Sequence, residues 1–220
     1  GSEGDPKGVV LTHDNILSNL LSAASVFPVG ESDTALSFLP LSHAFERTGL
    51  LALLSLGVKV ALAENITKVF DNLPEVRPTI LLTVPGVLEK FYRGVREEIS
   101  RRRRPTRFLF KAGSKEKRNF IAKETFDLLF AKKIRKRLGN RITYLISGGA
   151  ALNPKVAQFF EILGITVLEG YGLTEAAPIV SVNYPGKFKK GTVGTPIPSV
   201  EVRIEADGEI LVSGPNVMKG

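Results

Sequence analysis

The chain contains no cysteine, no tryptophan and a single methionine among its 220 residues. Without cysteine there is no disulfide scaffold, no thiol nucleophile and no Cys-based zinc site, and a cytoplasmic location is favoured. Long apolar runs are missing too. The longest candidate, residues 49–58, is broken by glycines and a serine, well short of the roughly 20 residues a membrane-spanning helix needs. The first apolar stretch follows Glu3, Asp5 and Lys7, so the start does not read as a secretion signal. No internal repeat or low-complexity linker interrupts the chain. Hydrophobic residues at 43% and charged residues at 24% match a soluble globular composition, and the length suits a single domain.

Charge is present but unevenly placed. The net charge is +8, yet residues 90–137 hold 18 Lys/Arg against 5 Asp/Glu, which leaves the remainder acidic. Within that segment, Arg101 to Arg104 and the run from Lys132 to Arg137 suit nucleic acid, anionic lipid, a phosphorylated ligand, or a plain solvated helical face. Its aromatics (Phe91, Tyr92, Phe108, Phe110, Phe120, Phe126, Phe130) are spaced largely as helix core positions, which argues against base-stacking platforms.

The rest of the chain alternates between two periodicities. Apolar strand-like runs at 9–11, 35–39, 58–63, 79–84, 142–146 and 165–168 are separated by helix-like stretches at 44–56, at 66–73 and from an opening at Asn153-Pro154 to a stop at Gly164. Thr12 is placed to cap a helix that turns Ile16, Leu17, Leu20, Leu21 and Ala24 to one side. Such alternation predicts an α/β fold, a mainly parallel sheet flanked by helices. Near the C-terminal end, 200–205 and 209–212 around Asp207-Gly208 predict a short β hairpin.

In open parallel sheets, ligands bind beyond the carboxyl ends of the strands, so four unusual loops, at 1–8, 39–47, 147–152 and 169–175, carry the functional reading. "GSEGDPKG" at 1–8 offers glycine amides, a hydroxyl and the cation of Lys7, which suit a phosphate without forming the Walker pattern; Gly-Ser at a chain start also occurs as a vector remnant. "SGGAA" at 147–151 bears no bulky side chain, which suits either a flat nucleobase or tight helix–strand packing. "EGYGLTE" at 169–175 reads as a strand end entering a turn. It also provides a ring at Tyr171 to stack on a base, a hydroxyl at Thr174 for a phosphate oxygen, and a carboxylate at Glu175 for the hard ion Mg2+.

Taken in order, "GSEGDPKGVVLTH", "LPLSHAFER", "LISGGAAL", "VLEGYGLTEAAP" and "GEILVSGPNVMKG" resemble the core motifs of the adenylate-forming enzymes, most closely the long-chain fatty acyl-CoA synthetases and acyl-acyl-carrier-protein synthetases. The resemblance implies that residues 1–220 are part of the large ATP-binding N-terminal domain, with the small C-terminal domain absent and little activity in this chain alone. It implies ATP, Mg2+ and CoA as cofactors and a fatty acid as substrate, with an acyl carrier protein as the alternative acceptor. Gly1, Ser2, Gly4 and Lys7 would hold phosphates, Thr174 would contact phosphate, and Glu175 would bind Mg2+. Gly148, Gly149, Ala150, Gly170, Tyr171 and Gly172 would line the nucleotide pocket, and His43 would sit on the acyl or thiol side. Carboxylate attack on an α-phosphate needs no side-chain nucleophile, only orientation and charge neutralisation. The basic segment adds an expectation of peripheral contact with anionic membrane. A nucleic-acid role finds no base-reading motif.

Overall fold

Thr12 caps the first helix as its position predicts. Its hydroxyl accepts from the Asn15 amide while the Asn15 side chain accepts from the Thr12 amide, closing a reciprocal box. This is seen in a computed structural model that describes residues 8–113 and 124–220. Gly1, Ser2, Gly4 and Lys7, together with Lys115, Lys117, Arg118, Phe120 and Lys123 of the basic segment, lie outside the described residues.

Helix α1 (His13–Ala24) leads to β1 (Thr34–Ser37), α2 (Ala44–Ser55), β2 (Lys59–Leu62), α3 (Val69–Val76) and β3 (Ile80–Thr83). The basic stretch then forms α4 (Pro85–Ser100), α5 (Arg104–Gly113), a π-helical turn (Asp127–Ala131) and α6 (Lys132–Arg137). Next come β4 (Tyr144–Ser147), α7 (Pro154–Ile162) and β5 (Thr166–Gly172). A 3-10 turn (Thr174–Ala176) then joins β6 (Ile179–Val182), β7 (Thr195–Pro196) and the hairpin strands β8 (Glu201–Ile204) and β9 (Ile210–Ser213).

Seven strands form one sheet in the order β2-β1-β3-β4-β5-β6-β7. The first five are parallel, and β6 and β7 add an antiparallel edge. β8 and β9 pair separately, as the hairpin reading expects. The chain leaves β1 for β2 on one side and returns to β3 on the other, so the order reverses around β1. Such a reversal places the connecting helices on opposite faces and opens a crevice beyond the strand ends.

Alternation along the strands divides the interior into two cores. Leu36, Leu81, Leu145 and Val167 face α3, α4 and α7, where Phe91, Phe159 and Phe160 pack together. Ala35, Ile80, Leu82, Ile146 and Leu168 face the other way, toward Phe45 and Leu53 of α2. Helix α7 is bounded as predicted, by the Asn153 side chain on the Lys155 amide, by Pro154 in the first turn and by Gly164 beyond its end.

Four expectations need correction. Residues 9–11 form no strand. Val10 instead exchanges two backbone hydrogen bonds with the far end of the chain, donating to Gly220 at 2.8 Å and accepting from Lys219 at 3.0 Å. Leu17 and Leu21 are exposed, because α1 is rotated to bury Asn19, Leu20, Ala23 and Ala24. Helix α3 begins at Val69, since the Asn65 side chain accepts from the amides of Thr67 and Lys68 and holds the preceding residues in a turn. Strands β6 and β7 were not expected, Pro178 and Pro196 having masked the pattern.

Phe160 is 1% exposed, and its ring stacks on Phe91 with centroids 5.9 Å apart. Phe160→Ala is expected to lower the unfolding free energy by about 3–5 kcal/mol in urea titrations, the range for deleting a large buried ring. A cost near zero would show that this core face repacks freely.

Candidate functional site

The carboxyl ends of β1, β3, β4 and β5 open on a cavity of about 620 Å³. Its inner wall is apolar: Ala23, Ala24 and Phe27 at the end of α1, Ala52 and Leu53 on α2, and Leu82 and Ile146 on the sheet. Its rim is formed by Pro40, His43, Gly148, Gly149, Tyr171, Gly172 and Thr174. Three of the four loops singled out in the sequence therefore converge on one space. Gly170 also lines it. Ala150 and Glu175 do not, although each directly follows a lining residue in the chain. The fourth loop lies outside the described residues, but the chain leaving it is held close. Lys219 binds Val10, and the neighbouring Met218 amide donates to the Glu175 carbonyl at 2.7 Å.

The local sequence explains each placement. Tyr171 stands between two glycines because β5 and β6 approach too closely there for side chains. A Cβ on Gly170 would come within 3.1 Å of the Ser181 carbonyl oxygen, and one on Gly172 within 2.2 Å of the Pro178 oxygen. A register shift between Tyr171 and Gly172 then ends regular pairing and releases the chain into the 174–176 turn. The strand-end reading of this stretch is correct, and Gly170, Tyr171, Gly172 and Thr174 line the cavity. For residues 147–151, packing accounts for Gly148, where a Cβ would meet the Phe45 ring at 3.2 Å. Gly149, at φ +85°, adopts the left-handed conformation and leaves its backbone facing the cavity.

His43 is the N-cap of α2 without a side-chain cap bond, so its imidazole is free to serve the rim. Three residues on, Glu46 is 1% exposed and part of the cavity wall. The Ser37 hydroxyl donates to its Oε1, whereas Oε2 has no hydrogen-bond partner. Burial raises the Glu46 carboxyl above the usual range, and Ser37 with the nearby amides of Phe38 and Leu39 offsets only part of this.

The turn after β5 is held by side chains from three remote segments. Asn19 of α1 donates to the carbonyls of Ala176 at 3.3 Å and Ile179 at 2.7 Å and accepts from the Ile179 amide at 3.1 Å. Thr48 of α2 donates to the Ala177 carbonyl at 3.3 Å, and Asn216 donates to the Ala176 carbonyl at 2.9 Å. All three side chains are buried. None was singled out from the sequence; the signal available was a lone amide on an apolar helical stripe and an asparagine inside "GPNVMKG".

No group of three or more His, Cys, Asp or Glu suited to a metal occurs among the described residues. Mg2+ commonly takes one or two protein carboxylates and completes its shell with phosphate oxygens and water. The Glu175 side chain has no hydrogen-bond or ion-pair partner among the described residues, leaving a hard oxygen donor available beside Thr174.

Residues 1–220 match the sequence profile of the AMP-binding enzyme family. The chain is 33% identical over 241 residues to long chain acyl-CoA synthetase 6, peroxisomal, of Arabidopsis thaliana, with all of this chain and 34% of that protein covered. It is also 33% identical over 241 residues to long-chain-fatty-acid–CoA ligase 5 of Rattus norvegicus, covering all of this chain and 35% of that one. It thus spans about a third of the length of these relatives. Its fold is similar to o-succinylbenzoate coenzyme A synthetase of Bacillus subtilis, solved in complex with ATP and magnesium ion. There the TM-score is 0.67 at 24% identity, over 99% of this chain and 40% of the other.

Because the folded state disfavours ionised Glu46, the stability this group contributes is full below the ordinary glutamate pKa and is lost as pH rises through its raised value. Glu46→Gln is therefore expected to equal the wild type in acid, below the ordinary glutamate value of about 4.3, and to become the more stable of the two as pH rises above it. Urea titrations across that window check it; a difference that stays constant with pH would contradict the assignment.

Proposed function

Because the chain belongs to the AMP-binding enzyme family, we propose that it forms the nucleotide- and acyl-binding part of an enzyme that activates a long-chain fatty acid with ATP and passes the acyl group to CoA. One observation carries this reading: a single cavity joins an apolar slot between α1, α2 and the sheet to a rim of glycine backbone, Tyr171 and Thr174. A fatty acid needs both, an apolar channel for its chain and polar groups where its carboxylate meets a phosphate. The names of the relatives support the same substrate class.

In the proposed reaction a carboxylate oxygen attacks the α-phosphorus of ATP and the bond to pyrophosphate breaks. The thiol sulfur of CoA then attacks the acyl carbon, and AMP leaves. The fatty carboxylate is already ionised near neutral pH, so the protein's task is alignment of two anions. Gly148 and Gly149 present backbone to a flat base, with Tyr171 beside it. The Thr174 hydroxyl donates to phosphate oxygen, and His43 at the mouth orients the carboxylate against its target. Lys7 adds a cation to the phosphates in this scheme. Magnesium held by Glu175 would neutralise charge on the phosphate oxygens. Acyl carrier protein in place of CoA is the alternative acceptor.

Calorimetric titration of the chain with a non-hydrolysable ATP analogue tests the reading, with and without Mg2+. Binding is expected to require Mg2+ for full affinity. Glu175→Ala should weaken the magnesium complex by about tenfold or more, as loss of a charged contact does, while affinity for metal-free nucleotide stays the same. Absence of nucleotide binding by the wild type, or an unchanged Glu175→Ala variant, would contradict it.

A further inference from the structure

Helix α5 buries one side and leaves the other uncovered. Phe110 packs against Phe126 and Phe130, with ring centroids 5.6 and 5.3 Å apart, and joins the core that includes Leu81 and Leu145. That is the sheet face opposite the cavity. Phe108 points away from this core and is 72% exposed, Leu109 is 38% exposed, and Leu129 of the π-helical turn is 41% exposed. Helix positions three and four apart share a face, so Arg104 and Lys111 flank Phe108 from the turns on either side and Arg107 adjoins it. All three cations are exposed, and no ion pair among the described residues involves any of them. Glu98, a carboxylate of the same basic segment, is taken by Arg137 at 2.6 Å and Arg102 at 3.1 Å, which hold its carboxyl below the usual range. Glu97, Glu124 and Asp127 are the other described acids between 90 and 137, against 14 described Lys/Arg.

We propose that the exposed face of α5 is a membrane-docking surface, in which Phe108 and Leu109 enter the headgroup–acyl boundary of a bilayer while Arg104, Arg107 and Lys111 bind the phosphates of anionic lipids. Long basic side chains place their charge at that boundary while their stems cover apolar surface, and an aromatic ring ringed by cations is the composition of helices that lie in the interface. The charge alone would also suit a nucleic acid. A polyanion in water, however, offers no apolar phase to Phe108 and Leu109, and the neighbouring rings needed to extend a stacking platform, Phe110, Phe126 and Phe130, are buried. No described helix is long and apolar enough to cross a membrane, so the contact is peripheral. This inference is independent of the proposed reaction, since the face lies across the sheet from the cavity.

Co-sedimentation of the chain with phosphatidylcholine vesicles, with and without phosphatidylserine, tests it. Binding is expected to the anionic vesicles alone and to fall steeply as salt rises past about 0.1 M, where screening sets in over about 10 Å. Replacing Arg104, Arg107 and Lys111 together by Gln should weaken binding about 100-fold, at roughly fivefold for each cation near an anionic surface. Phe108→Ser should also release the protein from vesicles while its thermal unfolding stays at the wild-type midpoint. Equal binding to neutral vesicles, salt-independent binding, or triple and Phe108→Ser variants that sediment like the wild type would overturn the proposal. So would salt-sensitive binding to a single-stranded RNA homopolymer with none to vesicles, which would assign the face to nucleic acid.

Discussion

A turn with its carbonyls facing the protein interior must find donors there, because water does not reach it and each unmet polar group costs about 1–3 kcal/mol. The 174–179 turn meets this requirement with side chains rather than with its own ladder. Asn19, Thr48 and Asn216 come from α1, α2 and the C-terminal segment and supply donors to the carbonyls of Ala176, Ala177 and Ile179. The placement of Thr174 and Glu175 is thus coupled to the packing of α1 against α2 and to the seating of residues 216–218. Three segments that are far apart in the chain thus hold one turn.

The same logic of closeness shapes the rest of the site. The order reversal around β1 opens the crevice, α2 roofs it, and the ring of Phe45 settles against the end of β4 where residue 148 lacks a Cβ. Glu46 then introduces a polar group into an otherwise apolar wall. With Ser37 on one oxygen and nothing on the other, it ties the end of β1 to the first turn of α2, the segment whose preceding residue is His43. A rim of glycine backbone and hydroxyl and an apolar slot follow from one arrangement of strand ends, the arrangement the proposed reaction would need to bring a phosphate and a hydrocarbon chain to one point.

Much of this was legible in the sequence, for identifiable reasons. Parallel strands buried on both faces leave continuous apolar runs, so β1, β3, β4 and the start of β5 stood out. Asn153-Pro154 and Gly164 bounded α7 because they act locally through backbone geometry. The rim residues were visible as clusters of glycine and hydroxyl at strand ends, although Ala150 and Glu175 beside them do not line the cavity. What escaped detection depends on distant partners. The pairing of β5 with β6 is specified by backbone approach at Gly170 and Gly172, and the 9–11 segment behaves as it does because residues 219–220 lie beside it. Leu17 and Leu21 belong by periodicity to the α1 stripe, yet the buried amide of Asn19 sets the helix's rotation. The α5 face was half legible: its charge was plain, while the exposure of Phe108 against the burial of Phe110 required the packed structure.

Hydrogen exchange on an Asn19→Leu variant, followed segment by segment under native conditions, tests the role of the buried turn most directly. Leucine has the branched shape of asparagine but is larger and apolar, and the replacement removes the bonds to Ala176 and Ile179. Exchange across residues 173–179 is expected to accelerate, with the Ile179 amide most affected, while β3 and β4 keep wild-type protection. Unchanged protection across 173–179, or an equal acceleration throughout the sheet, would contradict the view that remote side chains fix this turn.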